Sequence, residues 1–210
     1  MAYPPSWRLE SDPNAALELM RAHPFAHLFT SHAGQQVTRI PFVTDSENGR
    51  PIRLRGHLNA DNPQAVGLNG AAVLVSFSGP HAYVSPHWRI DKARGGTIDF
   101  EQVTVHGTAH IVQGIDAFSA MIDDLSSLLE PQHADAGDYP IWQTSMAAPG
   151  YIERLVPQVT QFVVHINRIE MISKLHQQFP PEDRRSVADH LDRCNRDDSR
   201  AIAEKIRRSL

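Results

Sequence analysis

The stretch Phe77–Trp88, FSGPHAYVSPHW, follows an apolar run that predicts a buried strand. Its twelve positions hold two prolines, two histidines, a tyrosine and a tryptophan. We expect the strand to end at the first residue, Gly79-Pro80 to turn the chain, and Ser85-Pro86 to break a second short pairing. The stretch therefore predicts the rim of a site, which presents His87 and Trp88, rather than a strand that simply ends.

Further strands are predicted on both sides of this stretch. Runs of β-forming residues cover 26–31, 37–43, 52–57 and 72–77, with turn-rich segments between them. The segment 101–112 is the clearest strand, because apolar or small residues alternate there with threonines and histidines. A long β-branched run follows at 159–172. Strands that arrive mostly as neighbours indicate an antiparallel meander.

Helical periodicity predicts a helix that ends near Ala22, another over 115–129, and two short helices over 182–193 and 197–208. The predicted fold class is mainly β or α+β, an antiparallel barrel or sheet with helical flanks. We expect one domain over 1–180, which includes the N-terminal helix and an inserted helix at 115–130. A C-terminal helical extension over 181–210 is expected to pack on the same domain.

Composition limits the possible classes of protein. The chain has 210 residues, a net charge of −4 and one cysteine, and it has no apolar run long enough to cross a bilayer. The N-terminus does not resemble a secretory signal, so we expect a cytoplasmic protein with no membrane partner. Residues 182–210 hold eight basic and seven acidic side chains. That balance is typical of solvated helices rather than of a DNA-reading element.

The histidines raise the possibility of a metal site. His81 and His87 are six residues apart, and His106 and His110 lie on the same face of the predicted strand. No H-E-x-x-H or C-x-x-C motif accompanies them, so solvent-facing or hydrogen-bonded histidines are favoured over metal ligands. Cys194 is distant in sequence from these histidines and is interpreted as a packed thiol.

Two segments have features of a phosphate site. The segment 56–63, GHLNADNP, leaves a strand and enters a predicted helix, which Asp61 or Asn62 can cap. Such a helix start either holds a phosphate or is an ordinary capped helix. Arg39 lies in a strand among apolar residues and can pair with a phosphate or with a carboxylate such as that of Asp45. The spacing leaves both alternatives open.

Several stretches together resemble one family, the PaiB-like proteins, which are FMN-binding negative transcriptional regulators with the split-barrel flavin-binding fold. The resemblance covers nearly the whole chain in order, and the GPHAYVSPxW block is its most specific part. Its motifs are Tyr3-Pro4, Pro24-Phe25, Pro41-Phe42, Gly56-His57-Leu58, Asn62-Pro63, Phe77–Trp88, Val105-His106-Gly107, Lys174-Leu175 with Gln177, and Glu182-Asp183-Arg184.

The resemblance implies a bacterial homodimer of split barrels with one FMN per subunit in a groove between the protomers, and DNA or another regulatory partner. The flavin carries the electrons, so no side chain is assigned as a catalytic acid or base. If one assists proton transfer, it is His87 or Tyr83. The implied cofactor-binding residues are Arg39, Gly56, His57, Leu58, Asn62, Tyr83, Ser85, His87, Trp88, Lys174 and Gln177.

The sequence departs from the family pattern where the cofactor is expected. Ala60 replaces a basic residue and Asp61 adds an acid, while Arg39 stands at the usual histidine. The segments 96–100 and 176–178 also differ. Three alternatives therefore stay open: a flavin-dependent oxidoreductase, a haem-degrading split-barrel enzyme, and a diverged member that has lost flavin binding.

Overall fold

The computed structural model describes residues 5–7, 12–32 and 34–210, so the Tyr3-Pro4 motif lies outside the described residues. The helices are α1 Pro13–Ala22, α2 Ile115–Leu129, α3 Tyr151–Leu155, α4 Pro181–Asp192 and α5 Asp197–Arg208. The strands are β1 Phe25–Thr30, β2 Gln36–Pro41, β3 Val43–Glu47, β4 Arg50–Asn59, β5 Ala72–Val84, β6 Thr97–Ile111 and β7 Val159–Lys174. Among the described helices, none is both long and apolar enough to cross a membrane.

The sequence predicted six of the seven strands, but it placed a turn-rich segment over most of β3 and did not predict α3. A further difference is at the start of β6. The strand begins at Thr97, four residues before its predicted start. Asp99 and Glu101 lie on the same buried face as Val103 and Val105. Carboxylates on a buried face interrupt the alternation of apolar and polar residues. The pattern therefore did not reveal the first four residues of β6.

One residue shows that the sheet is curled. The seven strands have the order β2-β1-β5-β6-β7-β4-β3, so β2 and β3 are its two edges. In a flat sheet those edges would be about 29 Å apart, at about 4.8 Å per strand. Phe42 alone connects the end of β2 to the start of β3, a span of about 7 Å at most. The sheet must therefore curl until its edges meet, which makes it an antiparallel split barrel with flanking helices.

Phe42 fills the space inside this curl. Its side chain is fully buried and packs at ring-centroid distances of 6.0 Å from Phe77 and 6.2 Å from Phe162. A Cβ atom added to Gly56 on β4 would lie 3.0 Å from the Phe42 ring and 3.4 Å from Ile40. Gly56 therefore lets β4 approach the residue that joins the two edges.

The prediction that Gly79-Pro80 turns the chain is wrong, because β5 continues through both residues to Val84. Buried positions are odd-numbered up to Phe77 and even-numbered from Pro80 onward. A change of phase by one residue at Ser78 and Gly79 is typical of a β-bulge, which admits a proline without ending the strand.

Internal contacts divide the chain into two compact units. The barrel unit comprises Pro13–Phe77 and Thr104–Ile169, and the C-terminal unit comprises Met1–Asp12, Ser78–Val103 and Glu170–Leu210. In the C-terminal unit, a cluster of buried apolar residues from β5, α4 and α5 forms the core. In the barrel unit, α2 packs Phe118 and Met121 against other buried residues. The expected domain boundary at residue 180 stays a prediction.

We predict that Gly56→Ala destabilises the protein, because the added methyl group must displace the ring of Phe42. The expected loss is about 1–3 kcal/mol of unfolding free energy, as for an overpacked core. Urea denaturation measures it. Gly95→Ala is the matched control, since its Cβ would meet nothing within 4 Å. Equal stability of the two variants would contradict the packing argument.

Candidate flavin site

The outer face of β1 and β2 carries Arg39 beside exposed apolar residues. Arg39 lies opposite His27, and Val37 lies opposite Phe29 in the antiparallel register. Phe29 and Val37 are 41% and 53% exposed, which is high for apolar side chains on a sheet. The name "outer face" is used below for the surface formed by Phe25, His27, Phe29, Val37 and Arg39.

Arg39 has hydrogen-bond donors available for a ligand. Its Nε donates to the carbonyl oxygen of Phe25 at 3.2 Å, and its guanidinium lies 4.5 Å from the centroid of the Phe25 ring. Its two terminal nitrogens have no partner among the described residues. The contacts with Phe25 fix the side chain while leaving a planar fork toward solvent, which suits a phosphate group. Of the two alternatives for Arg39, the pairing with Asp45 does not occur, because Asp45 pairs with Arg53 and Arg55.

A cleft of about 570 Å³ lies farther along the same strands. Phe29, Val73 and Leu74 give it apolar walls, and Gln35 and Gln36 add amide groups at its edge. The cleft residue Phe29 lies opposite Val37, which is two residues from Arg39 on the same face of β2, or about 7 Å along the strand. A flat apolar slot with a few polar groups, about that far from a cation, has the properties needed for the ring of a phosphorylated flavin.

The predicted residues of β4 have structural contacts inside the barrel unit. Gly56 and Leu58 are buried on the inner face, and Gly56 lies against Phe42. His57 points the other way, and its ring meets that of Phe118 edge-on at 5.7 Å. Burial lowers the pKa of His57 below its usual value, so the neutral imidazole is favoured. The Nδ1 atom of His57 is buried, and no hydrogen-bond partner for it lies in the part of the chain that the structure describes.

The predicted helix after β4 is wrong, because only a single 3-10 turn, Pro63–Ala65, is present. Asn62 caps this turn by accepting from the Gln64 backbone at 2.9 Å, as the sequence suggested. Its Nδ2 donates to the Thr38 hydroxyl at 3.1 Å. Since Thr38 and Arg39 are successive residues of β2, Asn62 and Arg39 lie on opposite faces of that strand. Of the two alternatives for this segment, the short turn favours an ordinary cap, because it offers little of the helix dipole that would hold a phosphate.

In the C-terminal unit, the Pro86–Trp88 turn is anchored to α4. The Trp88 ring stacks on His190 at 5.8 Å with an interplanar angle of 12°, and its carbonyl oxygen accepts from Ser186 Oγ at 2.7 Å. Ser85 caps the turn by accepting from the His87 backbone. The rim interpretation predicted that both His87 and Trp88 are presented; His87 is exposed, whereas Trp88 is partly buried against the core of this unit.

Two other predicted residues of this unit are already engaged. The ammonium of Lys174 donates to the Thr97 hydroxyl and the Ile98 carbonyl oxygen, and burial lowers its pKa even though Asp99 lies 3.8 Å away. Gln177 donates to the Ser173 carbonyl oxygen and accepts from the Leu175 backbone. Lys174 therefore ties the end of β7 to the start of β6, and Gln177 holds the turn that follows β7. Tyr83 is exposed and its hydroxyl lies close to Gly96.

The sequence reasoning missed a buried pair in this unit. Asp99 and His176 are both 0% exposed, and His176 Nδ1 lies 2.7 Å from Asp99 Oδ2. The His176 ring stacks on Phe179 at 4.4 Å, and its backbone has the left-handed φ of +62°. These residues belong to the two segments that depart from the family pattern. One signal was available in the sequence. Asp99 lies an even number of positions from the buried residues of β6, so it lies on the same, buried face of the strand.

Three other histidines that were considered as metal ligands, His81, His106 and His110, each have a neighbour. His81 lies 3.6 Å from Asp198, His106 contacts Arg168 at 3.0 Å, and the ring of His110 lies 5.3 Å from that of His165. Among the described residues, no group of three or more potential metal ligands is close enough to share an ion. The sequence favoured histidines that are either solvent-facing or hydrogen-bonded, and His106 is hydrogen-bonded, to Arg168.

Comparisons with known proteins identify the family and the fold of the chain. Residues 1–168 match a family described as "Putative FMN-binding domain". An uncharacterized protein of Aspergillus fumigatus is 27% identical, with 82% of each chain covered. The protease synthase and sporulation protein PAI 2 of Bacillus subtilis is 22% identical over 89% of this chain and 87% of its own. The FAD and heme binding protein from Mycobacterium smegmatis is 14% identical, covers 76% of this chain and 70% of its own, and has a TM-score of 0.54.

The chain thus belongs to the FMN-binding family, and its fold is that of flavin-binding split barrels. The family's cofactor is FMN or a related flavin. The recognition of a PaiB-like protein from the GPHAYVSPxW block is confirmed by the match to PAI 2. Because the relatives include a fungal protein, the expected bacterial origin stays a prediction.

We predict that Asp99 and His176 stabilise the fold as a coupled pair. Removing one partner leaves a buried polar group unpaired, so each alanine variant should lose about 3–5 kcal/mol of unfolding free energy. A double-mutant cycle measures the coupling, which is expected to be about 1–3 kcal/mol. The exposed pair Asp197 and Arg200 is the matched control and should couple far more weakly. Equal coupling in the two cycles would contradict the prediction.

Proposed function

We propose that the protein is a homodimeric FMN-binding split barrel that acts as a PaiB-type negative regulator of transcription. The observation that carries the proposal is the outer face, where Arg39 presents free donors beside exposed apolar residues. The flavin would supply electron transfer when it is bound. The chain's own contribution would be to bind the phosphate at Arg39 and to receive the ring in the cleft lined by Phe29 and Leu74.

The same face supports the homodimer. Phe25, Phe29 and Val37 are exposed next to each other across two paired strands. A second copy covering this face would remove their apolar surface from water and would enclose the ring from the other side. The site is therefore incomplete in one subunit under this proposal, as expected for a flavin groove between protomers.

We propose that the regulatory effect does not arise from DNA contacts made by α4 and α5. Several arginines of these helices are paired within the helices themselves: Arg200 with Asp197, Arg207 with Asp189 and Asp192, and Arg208 with Glu204. Paired arginines offer little net charge to a phosphate backbone. An oxidoreductase activity remains compatible with a flavin, whereas the contacts of the histidines give no specific support to haem degradation.

We expect Arg39→Ala to weaken FMN binding by about tenfold or more, because a charge-assisted bond to the phosphate is lost. Quenching of flavin fluorescence measures the affinity. The affinity for riboflavin, which lacks the phosphate, should change little. Arg50→Ala is the control, since Arg50 is an exposed arginine on β4 away from the outer face.

Equal losses for FMN and riboflavin would contradict the assignment of Arg39 to the phosphate. Sedimentation velocity of the same samples tests the homodimer, which should have twice the 23.4 kDa mass of the chain. A monomer in the presence of saturating FMN would contradict the shared groove, whatever the result for Arg39.

We expect binding to the protein's own promoter region to be absent or nearly independent of salt. Fluorescence anisotropy between about 50 and 200 mM salt measures this, since each phosphate contact contributes a slope of about −0.9. A slope equivalent to several phosphate contacts would show direct DNA binding. It would overturn the proposal that regulation is indirect.

A further inference from the structure

The barrel unit has a second cleft, of about 640 Å³, which shares no lining residue with the cleft described above. Its charged lining comes from α1, from the paired strands β3 and β4, and from α2. The five charged residues are Arg21, Asp45, Arg53, Arg55 and Asp124. Because the residues come from four elements, the fold rather than one flexible loop determines their positions.

Two carboxylates neutralise Arg55. Its terminal nitrogen lies 2.8 Å from Asp45 and 2.6 Å from Asp124, and its Nε donates to both Asp45 oxygens at 3.1 Å. Burial alone would raise the pKa of Asp45, but the hydrogen bonds from Arg55 and Arg53 outweigh it and hold the pKa below its usual value. Asp45 is therefore a fixed negative charge at neutral pH, around which the arginines are arranged.

The cleft keeps one unbalanced positive charge, since three guanidinium groups face two carboxylates. Arg53 contacts Asp45 only through Nε, and its side chain is 47% exposed. Arg21 donates only to the Ser46 hydroxyl, at 3.0 Å. Among the described residues, the terminal nitrogens of Arg53 and the remaining donors of Arg21 have no partner. One hydrogen bond therefore orients each of these two guanidinium groups, and the other N–H donors of each can bind a ligand.

The chemistry of these donors indicates an oxyanion with an organic part. Two guanidinium groups from different elements offer more donors than one carboxylate can accept, whereas a phosphate monoester has three terminal oxygens. The cleft is too large for phosphate alone, and Ile52 and Leu128 give it an apolar wall. We propose that this cleft binds a small phosphorylated organic molecule, with its phosphate at Arg21 and Arg53 and its organic part against Ile52 and Leu128.

Thermal unfolding of the full chain in phosphate-free buffer tests the proposal, with phenyl phosphate, inorganic phosphate and benzoate as probes at constant ionic strength. A ligand that binds only the folded state raises the melting temperature with its concentration. Phenyl phosphate should give the largest shift and benzoate the smallest. In Arg21→Gln/Arg53→Gln, the concentration of phenyl phosphate needed for the same shift should rise about tenfold or more, because charged hydrogen bonds are lost.

Two control variants locate the effect. Arg50→Gln removes the same charge outside the cleft and should respond like the wild type, whereas Arg39→Ala reports any phenyl phosphate that binds at the proposed flavin phosphate contact instead. If the double variant does not fold, the single variant Arg21→Gln gives the same comparison. An unchanged response of the cleft variants, a loss of response in Arg39→Ala, or a benzoate shift equal to that of phenyl phosphate would overturn the proposal. None of these results depends on whether the protein binds FMN.

Discussion

The link between the two edge strands through Phe42 is the constraint on which the rest of the barrel unit depends. A single residue cannot cross an open seven-stranded sheet, so the sheet curls and Phe42 lies in its interior. The requirement extends to β4, where Gly56 has no side chain because the Phe42 ring takes that space. In the curled sheet the inner face packs around Phe42, and the side chains of β2 that point outward, Val37 and Arg39, are exposed.

Burial of charge follows a different rule in each unit. In the barrel unit, Asp45 is partly exposed and collects two arginines, which leaves a cleft with excess positive charge. In the C-terminal unit, Asp99 is fully buried with His176, and Glu101 accepts from Ser173 at 2.7 Å and pairs with Lys205 at 2.6 Å. Buried carboxylates need such partners, and these partners tie α5 and the turn after β7 to β6.

Arginine has three different roles in this protein. Arg55 is neutralised by two carboxylates and contributes structure. Arg184 is mostly buried and donates to the carbonyl oxygen of Ser209 at 3.0 Å, which ties α4 to the end of α5. Arg21, Arg39 and Arg53 keep free donors, and they are the residues from which ligand binding is inferred. Residue type alone could not have separated these roles, because the partners are distant in sequence.

The sequence by itself determined most of the strands and helices, the family and the cofactor, because hydrophobic periodicity and the GPHAYVSPxW block are local properties of the chain. It also offered Asn62, beside Asp61, as a cap, and it predicted that His87 is exposed. Only the tertiary structure decided that β5 continues through Gly79-Pro80, and that Asp99 pairs with His176 across 77 positions. It also placed Asn62 and Arg39 on opposite faces of β2, since the direction of a side chain depends on strand phase and on partners that spacing does not specify.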